Sequence, residues 1–594
     1  MNLKKIISRG LLMGLAIGLS LFLSCTPQSA PPANVKSVID RVVTQLYAQG
    51  DEDAIRQISY DNLFSLFSDE EQKVLSTTHW MFDVNVPVVV SVMRSVKQQD
   101  LPFWLIPAGF EKTDKIISNE QTTYEVWQKQ FDKGRVGLGV NGFENYGLHY
   151  FVAVSPVNPD ENLVLSNFFP ERQFVGELRN GSFTYHDWTE LVLFDVPSEL
   201  EGARLLTTTR GRGVESHLIN AFRTTDTPSS ATPDQVLLTW SDDPSTTVDM
   251  QFRTAAETDE GKVVYRKTGT ENSSSVGTTA FLMEDRLLMN DRYINRHTAA
   301  LKGLEPGTTY EYLISPSEDW SLAHTFTTAG NDSNFSFLAF SDVHNTSHYG
   351  ELVKLAAANH PEAAFQIISG DQVNDGLYRN HWDELFAYTG FINHRIPMMT
   401  VPGNHDNRAG LGAWMFQEMF SYPKNGPEGV PSEQTYSFRY KNALFLMLDA
   451  TSPLTAQNDW IENQLSNTDA DWKIVVTHFP PYNFNSPYYN IQREWIPLFD
   501  KYQVDLVLSG HIHYYMRSHP MKAGEVVDAS DKGSVYVISV AQPARDRDIG
   551  QESYAAMRES KGHQYLHIQL EGNLLRYSAI NIENRVFDQF TLSK

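Results

Sequence analysis

Asn334-Phe335-Ser336-Phe337-Leu338-Ala339-Phe340-Ser341-Asp342-Val343-His344 decides how the chain is read. Its run from Phe335 to Phe340 is short and apolar on both faces, which predicts a strand buried on both sides. Similar runs follow at Ala364 to Ser369, Met398 to Val401, Ala443 to Leu448, Trp472 to Thr477 and Val504 to Leu508. Between them, Tyr349 to Ala358, His381 to Ile392 and Asn458 to Leu465 read as helices. The alternation predicts an α/β layered domain, in which binding groups lie past the carboxyl ends of strands.

The chemistry sits at those ends. Asp342 and His344 follow the first strand, Asp371 follows the second in Ser369-Gly370-Asp371, and Gly403-Asn404-His405-Asp406 follows the third. His478 ends Val475-Val476-Thr477-His478, and Gly510-His511-Ile512-His513 closes the last strand. Singly, each piece is weak: Asp-x-His can be a capped turn, and His-x-His can be two strand residues facing opposite ways. Strands packed in one sheet, however, bring their ends to one rim. Oxygen and imidazole donors without sulfur suit Mn, Fe, Zn or Co. A carboxylate shared by two cations also lowers their repulsion at the roughly 3.5–4 Å spacing of two-metal sites.

In this order the motifs resemble the calcineurin-like metallophosphoesterase family, from about Phe335 to the C-terminus. The resemblance implies a metal-dependent phosphoric ester hydrolase with a layered β-sandwich core. It puts Asp342, His344, Asp371 and His513 on a first metal, with Asp371 bridging to a second that Asn404, His478 and His511 complete. His405 falls off the metals, near the substrate phosphate, as the catalytic proton donor. Asp406 either orients His405 or shapes the loop. The run Gly510-His511-Ile512-His513-Tyr514-Tyr515-Met516-Arg517 is similar to that of purple acid phosphatases, and sets Arg517 behind the donors. Two departures matter. His344 stands where the purple enzymes have Gly, and Asn374 where they have the tyrosine that binds ferric iron. Asp371-Gln372-Val373-Asn374-Asp375-Gly376 is closer to bacterial phosphodiesterases of the wider family. The implied reaction is attack of a metal-bound hydroxide on a phosphate ester, a monoester in preference to a diester. A surface binding lipoprotein with a vestigial phosphoesterase domain is the reading of a different class; loss of a donor would have favoured it, and all seven are present. The aromatic stretches Tyr482 to Tyr489 and Tyr514-Tyr515 are read as loop packing rather than a stacking platform for substrate.

Upstream, residues 223–330 carry strand signals at Val236 to Trp240, Val263 to Lys267 and Tyr310 to Ile314. Leu304-Glu305-Pro306-Gly307-Thr308-Thr309-Tyr310 makes a corner across which a tyrosine can hydrogen-bond back. With Trp240 this resembles a fibronectin type III domain, an immunoglobulin-like sandwich, which purple acid phosphatases also place before the catalytic domain. Residues 35–222 begin with a helical pattern, Val38, Ile39, Val42, Val43 and Leu46, stopped by Gly50. A capping box follows at Ser68 and Glu71, then short β-rich runs such as Val86 to Val92 and Leu148 to Val154. They read as an accessory α+β domain without a recognised motif. These two domains are expected to bind or position, through glycan or protein contact. The catalytic domain spans 331–594, so the fold class is multidomain.

At 594 residues one hydrophobic core does not suffice. The net charge of −24 repels nucleic acid, so attraction for an anionic phosphate has to come from bound cations. Lys4, Lys5 and Arg9 precede the apolar run Leu11 to Leu23, which is short for a membrane span and reads as a signal peptide over 1–24. Leu21-Phe22-Leu23-Ser24-Cys25 resembles a bacterial lipoprotein box, implying lipidation of Cys25, a flexible tether over 25–34 and an exported protein anchored to a membrane or the cell surface. Cys25 is the sole cysteine, leaving no internal disulfide, thiol nucleophile or thiolate site.

Overall fold

The computed structural model describes residues 33–594, apart from 145, 172, 485, 486, 529, 530 and 547. The signal, Cys25 and the tether up to residue 32 lie outside the described residues.

Residues 334–593 form two mixed sheets. The first runs in the order Met398–Thr400, Gln366–Ile368, Asn334–Phe340, Gln564–Glu571, Leu574–Asn581, Val586–Ser593. Its first three strands are parallel and the rest antiparallel. The second runs Tyr436–Tyr440, Ala443–Leu448, Trp472–Thr477, Leu506–Ser509, Val535–Ile538, Tyr515–Ser518, Ala555–Glu559, and the middle four neighbours from Ala443–Leu448 to Val535–Ile538 are parallel.

Strand alternation explains why both sheets are apolar throughout. Phe445, Met447, Ile474, Val476, Leu508 and Val537 face the first sheet, where Phe337 meets Phe445 at 5.4 Å between ring centres. Their neighbours Leu446, Leu448, Val475, Val507 and Ile538 face the opposite way, under Ile461, Leu465, Trp495 and Phe499 of the outer helices. On the other side, helices Ser347–Asn359 and Arg379–Asn393 cover the first sheet through Tyr349, Leu352, Val353, Trp382 and Leu385. The layers are thus helix, sheet, sheet, helix. The expected strand and helix positions hold to within two residues at each end. The strands after residue 509 were not anticipated; among them the C-terminal hairpins over 564–593 alternate in the antiparallel manner and break the signal of continuous apolar runs.

Residues 234–327 form two four-stranded antiparallel sheets around Val248, Met250, Phe252, Val263 and Tyr312. The Tyr310 hydroxyl accepts the Glu305 N–H at 2.9 Å across the Pro-Gly corner. Trp240, read as part of the sandwich, packs instead against Phe365, Phe438 and Tyr440 of the layered domain. Beside it the buried Arg253 bridges Asp234 of its own sheet to Asp383 of the helix Arg379–Asn393, at 2.6 and 2.7 Å.

The segment before that pairs an N-terminal helical layer with β-structure. Asn34 caps the helix Val35–Gln49, Gly50 ends it with φ 74°, and Ser68 and Glu71 form a capping box. A six-stranded and a three-stranded sheet enclose Trp80, Phe82, Val90, Val152 and Val154. This segment lies against the loop after His405: the Gly211 N–H bonds the Ala409 carbonyl at 3.2 Å, four residues past His405.

Candidate metal centre

Each donor is aimed by a tight turn at a strand end. Five of the seven expected donors have left-handed backbone: Asp342 (φ 50°), His344 (47°), Asp371 (54°), His511 (71°) and His513 (51°). For non-glycine residues this costs free energy, which the surrounding packing sustains, and it clusters at functional sites. The turns pass so close that side chains are barred from their glycines. A Cβ on Gly403 would lie 2.1 Å from Asp371 Oδ1, and one on Gly510 would lie 2.2 Å from Asp342 Oδ2. Those close approaches account for the glycines of the two motifs.

The seven side chains meet at one rim in two sets. In one, His344 Nε2 lies 3.3 Å from His513 Nε2, 3.9 Å from Asp342 Oδ1 and 3.7 Å from Asp371 Oδ2, and His513 Nε2 lies 3.3 Å from Asp342 Oδ1. In the other, His478 Nε2 stands 3.2 Å from Asp371 Oδ2 and 3.1 Å from Asn404 Oδ1, with His511 in the same group. Two ligands with bonds of about 2.1 Å to one cation stand roughly 3.0–3.4 Å apart in octahedral or tetrahedral geometry, so the donor set fits cations. Asp371 belongs to both sets.

Electrostatics agree with that use. Burial opposes charge on Asp371 and Asp342. The surrounding imidazoles, His478 beside Asp371 and His513 bonded to Asp342, nonetheless hold both carboxyls below their usual range. Burial pushes His344 down to about 4 and His511 down to about 3, leaving neutral lone pairs. His478 donates Nδ1–H to the Ser369 carbonyl at 2.9 Å, which turns Nε2 toward Asp371. The Asp342 carboxylate accepts the Ser341 hydroxyl at 2.7 Å and the His511 N–H at 2.8 Å.

Residues 335–515 match the calcineurin-like phosphoesterase family, and residues 233–328 match the N-terminal domain of purple acid phosphatases. The chain carries a calcineurin-like phosphoesterase domain. An uncharacterised protein of Mycobacterium tuberculosis is 29% identical over 186 residues, covering 27% of this chain and 35% of that one. The chain thus spans about a third of that relative's length. The phosphoenolpyruvate phosphatase of Allium cepa is 26% identical over 379 residues, 57% of this chain and 76% of its own. Among solved structures, a purple acid phosphatase from yellow lupin seeds superposes with a TM-score of 0.52 at 16% identity, over 76% of this chain and 94% of that one.

Around the donors of the phosphoesterase domain, three expectations are refined. His405 has its Nδ1 2.8 Å from the Asn374 carbonyl, and since a carbonyl only accepts, Nδ1 carries the proton and Nε2 is left for chemistry. A ring nitrogen of His405 also lies within 4.8 Å of donor atoms of His344 and Asp371, so His405 borders the first set. Asp406 does not bond His405. It is buried and accepts the backbone N–H groups of Gly403, Gln372 and Val373 at 2.8–3.3 Å, so it shapes the loops. Arg517, expected behind the donors, forms a two-pronged ion pair with Asp588 of the last strand at 2.7 and 2.9 Å, and serves sheet packing there. Tyr514 and Tyr515 are buried. Phe479 and Tyr488 stack at 5.0 Å and lie against the His511 ring.

What the sequence did not signal is main-chain chemistry. The carbonyls of Asn374 and Ser369 set the tautomers of His405 and His478, and any residue type supplies a carbonyl. Asn374, noted only for replacing a tyrosine, also donates its side-chain N–H to the His344 carbonyl at 3.2 Å.

Proposed function

We propose that this protein is an exported two-metal phosphoesterase that hydrolyses phosphomonoesters. The observation that carries the reading is the convergence of seven donors in two sets that share Asp371. Bound there, two cations would acidify a water and draw charge from the phosphoryl oxygens. The chain's own residues do the rest. Asp342, His344, Asp371 and His513 would hold one cation, and Asp371, Asn404, His478 and His511 the other. His405 presents Nε2 to the leaving oxygen, with its ring held in place by the Asn374 carbonyl at Nδ1. The name of the Allium cepa relative specifies a phosphomonoester substrate, which supports the preference.

Residues 223–330 fit a fibronectin type III-like sandwich, with 35–222 as an accessory α+β domain, both positioning the catalytic loops. The N-terminal pattern supports export with lipid on Cys25.

Assay of the mature protein against phosphomonoesters, phosphodiesters and cyclic nucleotides, with Mn, Fe, Zn and Co in turn, tests the assignment. Highest kcat/KM on a monoester is expected. Faster turnover of diesters would replace the substrate class, and no turnover with any metal would overturn the enzymatic reading.

A further inference from the structure

Among the described residues the ring of His405 makes one hydrogen bond, from Nδ1 to the Asn374 carbonyl at 2.8 Å. Its backbone is fixed separately: the His405 N–H donates to Asp371 Oδ1 at 2.9 Å, and its carbonyl accepts the Gly376 N–H at 2.9 Å. Where Nε2 points therefore depends on where Asn374 is held. The Asn374 N–H donates to Asn345 Oδ1 at 2.8 Å, and Asn345 Nδ2 donates in turn to Glu384 Oε2 at 2.6 Å. This amide has one orientation, because a backbone N–H only donates and a carboxylate only accepts. Glu384 stands on the helix Arg379–Asn393, whose Trp382, Leu385 and Phe386 are anchored in the core. A rigid helix is thus linked to the His405 ring through the Asn345 side chain and the Asn374 backbone.

Local backbone requirements do not account for that side chain. Asn345 has φ 46°, a left-handed conformation that asparagine tolerates and glycine adopts more readily. Its own N–H bonds the Gln372 carbonyl at 3.0 Å, which any residue could do. What only the buried amide supplies is an acceptor for Asn374 and a donor for Glu384 at once.

We propose that Asn345, braced by Glu384, is a positioning residue for proton transfer, setting the direction of His405 Nε2 through Asn374. The proposal rests on the reading of His405 as the proton donor. A misplacement of about 1 Å in a reacting group can cost on the order of 10²-fold in rate, so a bridge remote from the substrate bears directly on turnover.

The full mature protein and its variants, loaded with the metal that supports the highest activity, are analysed for metal and assayed on alkyl and nitrophenyl phosphates. Asn345→Gly keeps the turn and removes the bridge. It should retain the wild-type metal content and lose about 10–10²-fold in kcat on alkyl phosphates, with KM nearly unchanged and little loss on nitrophenyl phosphate. In a His405→Ala background the same substitution should cost almost nothing further, because the two residues act as a unit. Asn345→Asp sets two carboxylates against each other and should lose a similar factor. Adding Glu384→Gln restores a donor facing an acceptor at unchanged total charge, and should recover most of the rate; this pair of variants carries the test if Asn345→Gly does not fold. Equal losses on both substrates, an undiminished loss in the His405→Ala background, loss of metal from Asn345→Gly, or no recovery in Asn345→Asp/Glu384→Gln would overturn the proposal. Leaving-group dependence in His405→Ala but not in Asn345→Gly would overturn the role of Asn345 alone, whereas its absence from His405→Ala would overturn the proton-donor reading and this proposal together.

Discussion

Substitution of His405 tests metal binding and proton transfer separately. With Nδ1 committed to the Asn374 carbonyl, its Nε2 is free to protonate a leaving alkoxide. His405→Ala should keep both metals and lose about 10²–10⁴-fold in kcat on alkyl phosphates. The loss should shrink steadily as the leaving-group pKa falls, because a nitrophenolate departs without a proton. A loss independent of the leaving group would instead mark electrostatic support of the phosphoryl group. His478 offers a second test. Burial disfavours its charge, but Asp371 and Asp342 outweigh it and raise the imidazole to about 9 in the protein without cations. A ligand imidazole is unprotonated. Metal loading at pH 7 should therefore release this proton, affinity should rise with pH, and the rise should flatten above about 9. Titration calorimetry at pH 7 in buffers of differing ionisation enthalpy reads the release directly, and buffer-independent heats would contradict it.

At the scale of the elements, the loops after two strands are gathered by one carboxylate. Asp406 accepts N–H groups from Gly403 of its own loop and from Gln372 and Val373 of the Asp371 loop. Asp406→Ala strands these buried donors at about 1–3 kcal/mol each. Several kcal/mol of stability should go with it, and the Asp371 side of the metal centre should loosen. Asp406→Asn keeps one acceptor oxygen and should fall between. Denaturant unfolding combined with metal analysis would separate this role from one in orienting His405. In that second case stability and metal content would hold while only activity fell.

For the whole molecule, the catalytic part is tied to its neighbour by buried charge. Arg253 and Arg379 share Asp383, and Arg379 also pairs with Asp291 at 2.9 Å. Removing one partner of such a network leaves uncompensated buried charge, at a cost of about 3–5 kcal/mol. Asp383→Ala should lower stability by that order and expose the Trp240 contact with Phe365 and Tyr440. A shift in Trp fluorescence ahead of global unfolding would report it. An unchanged midpoint would show that the network contributes nothing to holding the two parts together.

The sequence by itself determined the layering of strands and helices over residues 334–593 and which donor-type side chains converge at its rim. Strands buried on both faces are continuous apolar runs, and a donor just past such a run falls at a sheet rim whatever the rest of the chain does. It also determined the turn chemistry at Gly50, at Ser68 and at the Pro306-Gly307 corner, where a local backbone requirement selects the residue. Only the tertiary structure decided the rest. Asp406 and Arg517 have their partners at Gly403, Val373 and Asp588, and Trp240 packs on another part of the molecule. Those contacts depend on chain separations and on main-chain carbonyls and N–H groups common to every residue, so no local pattern in the sequence encodes them.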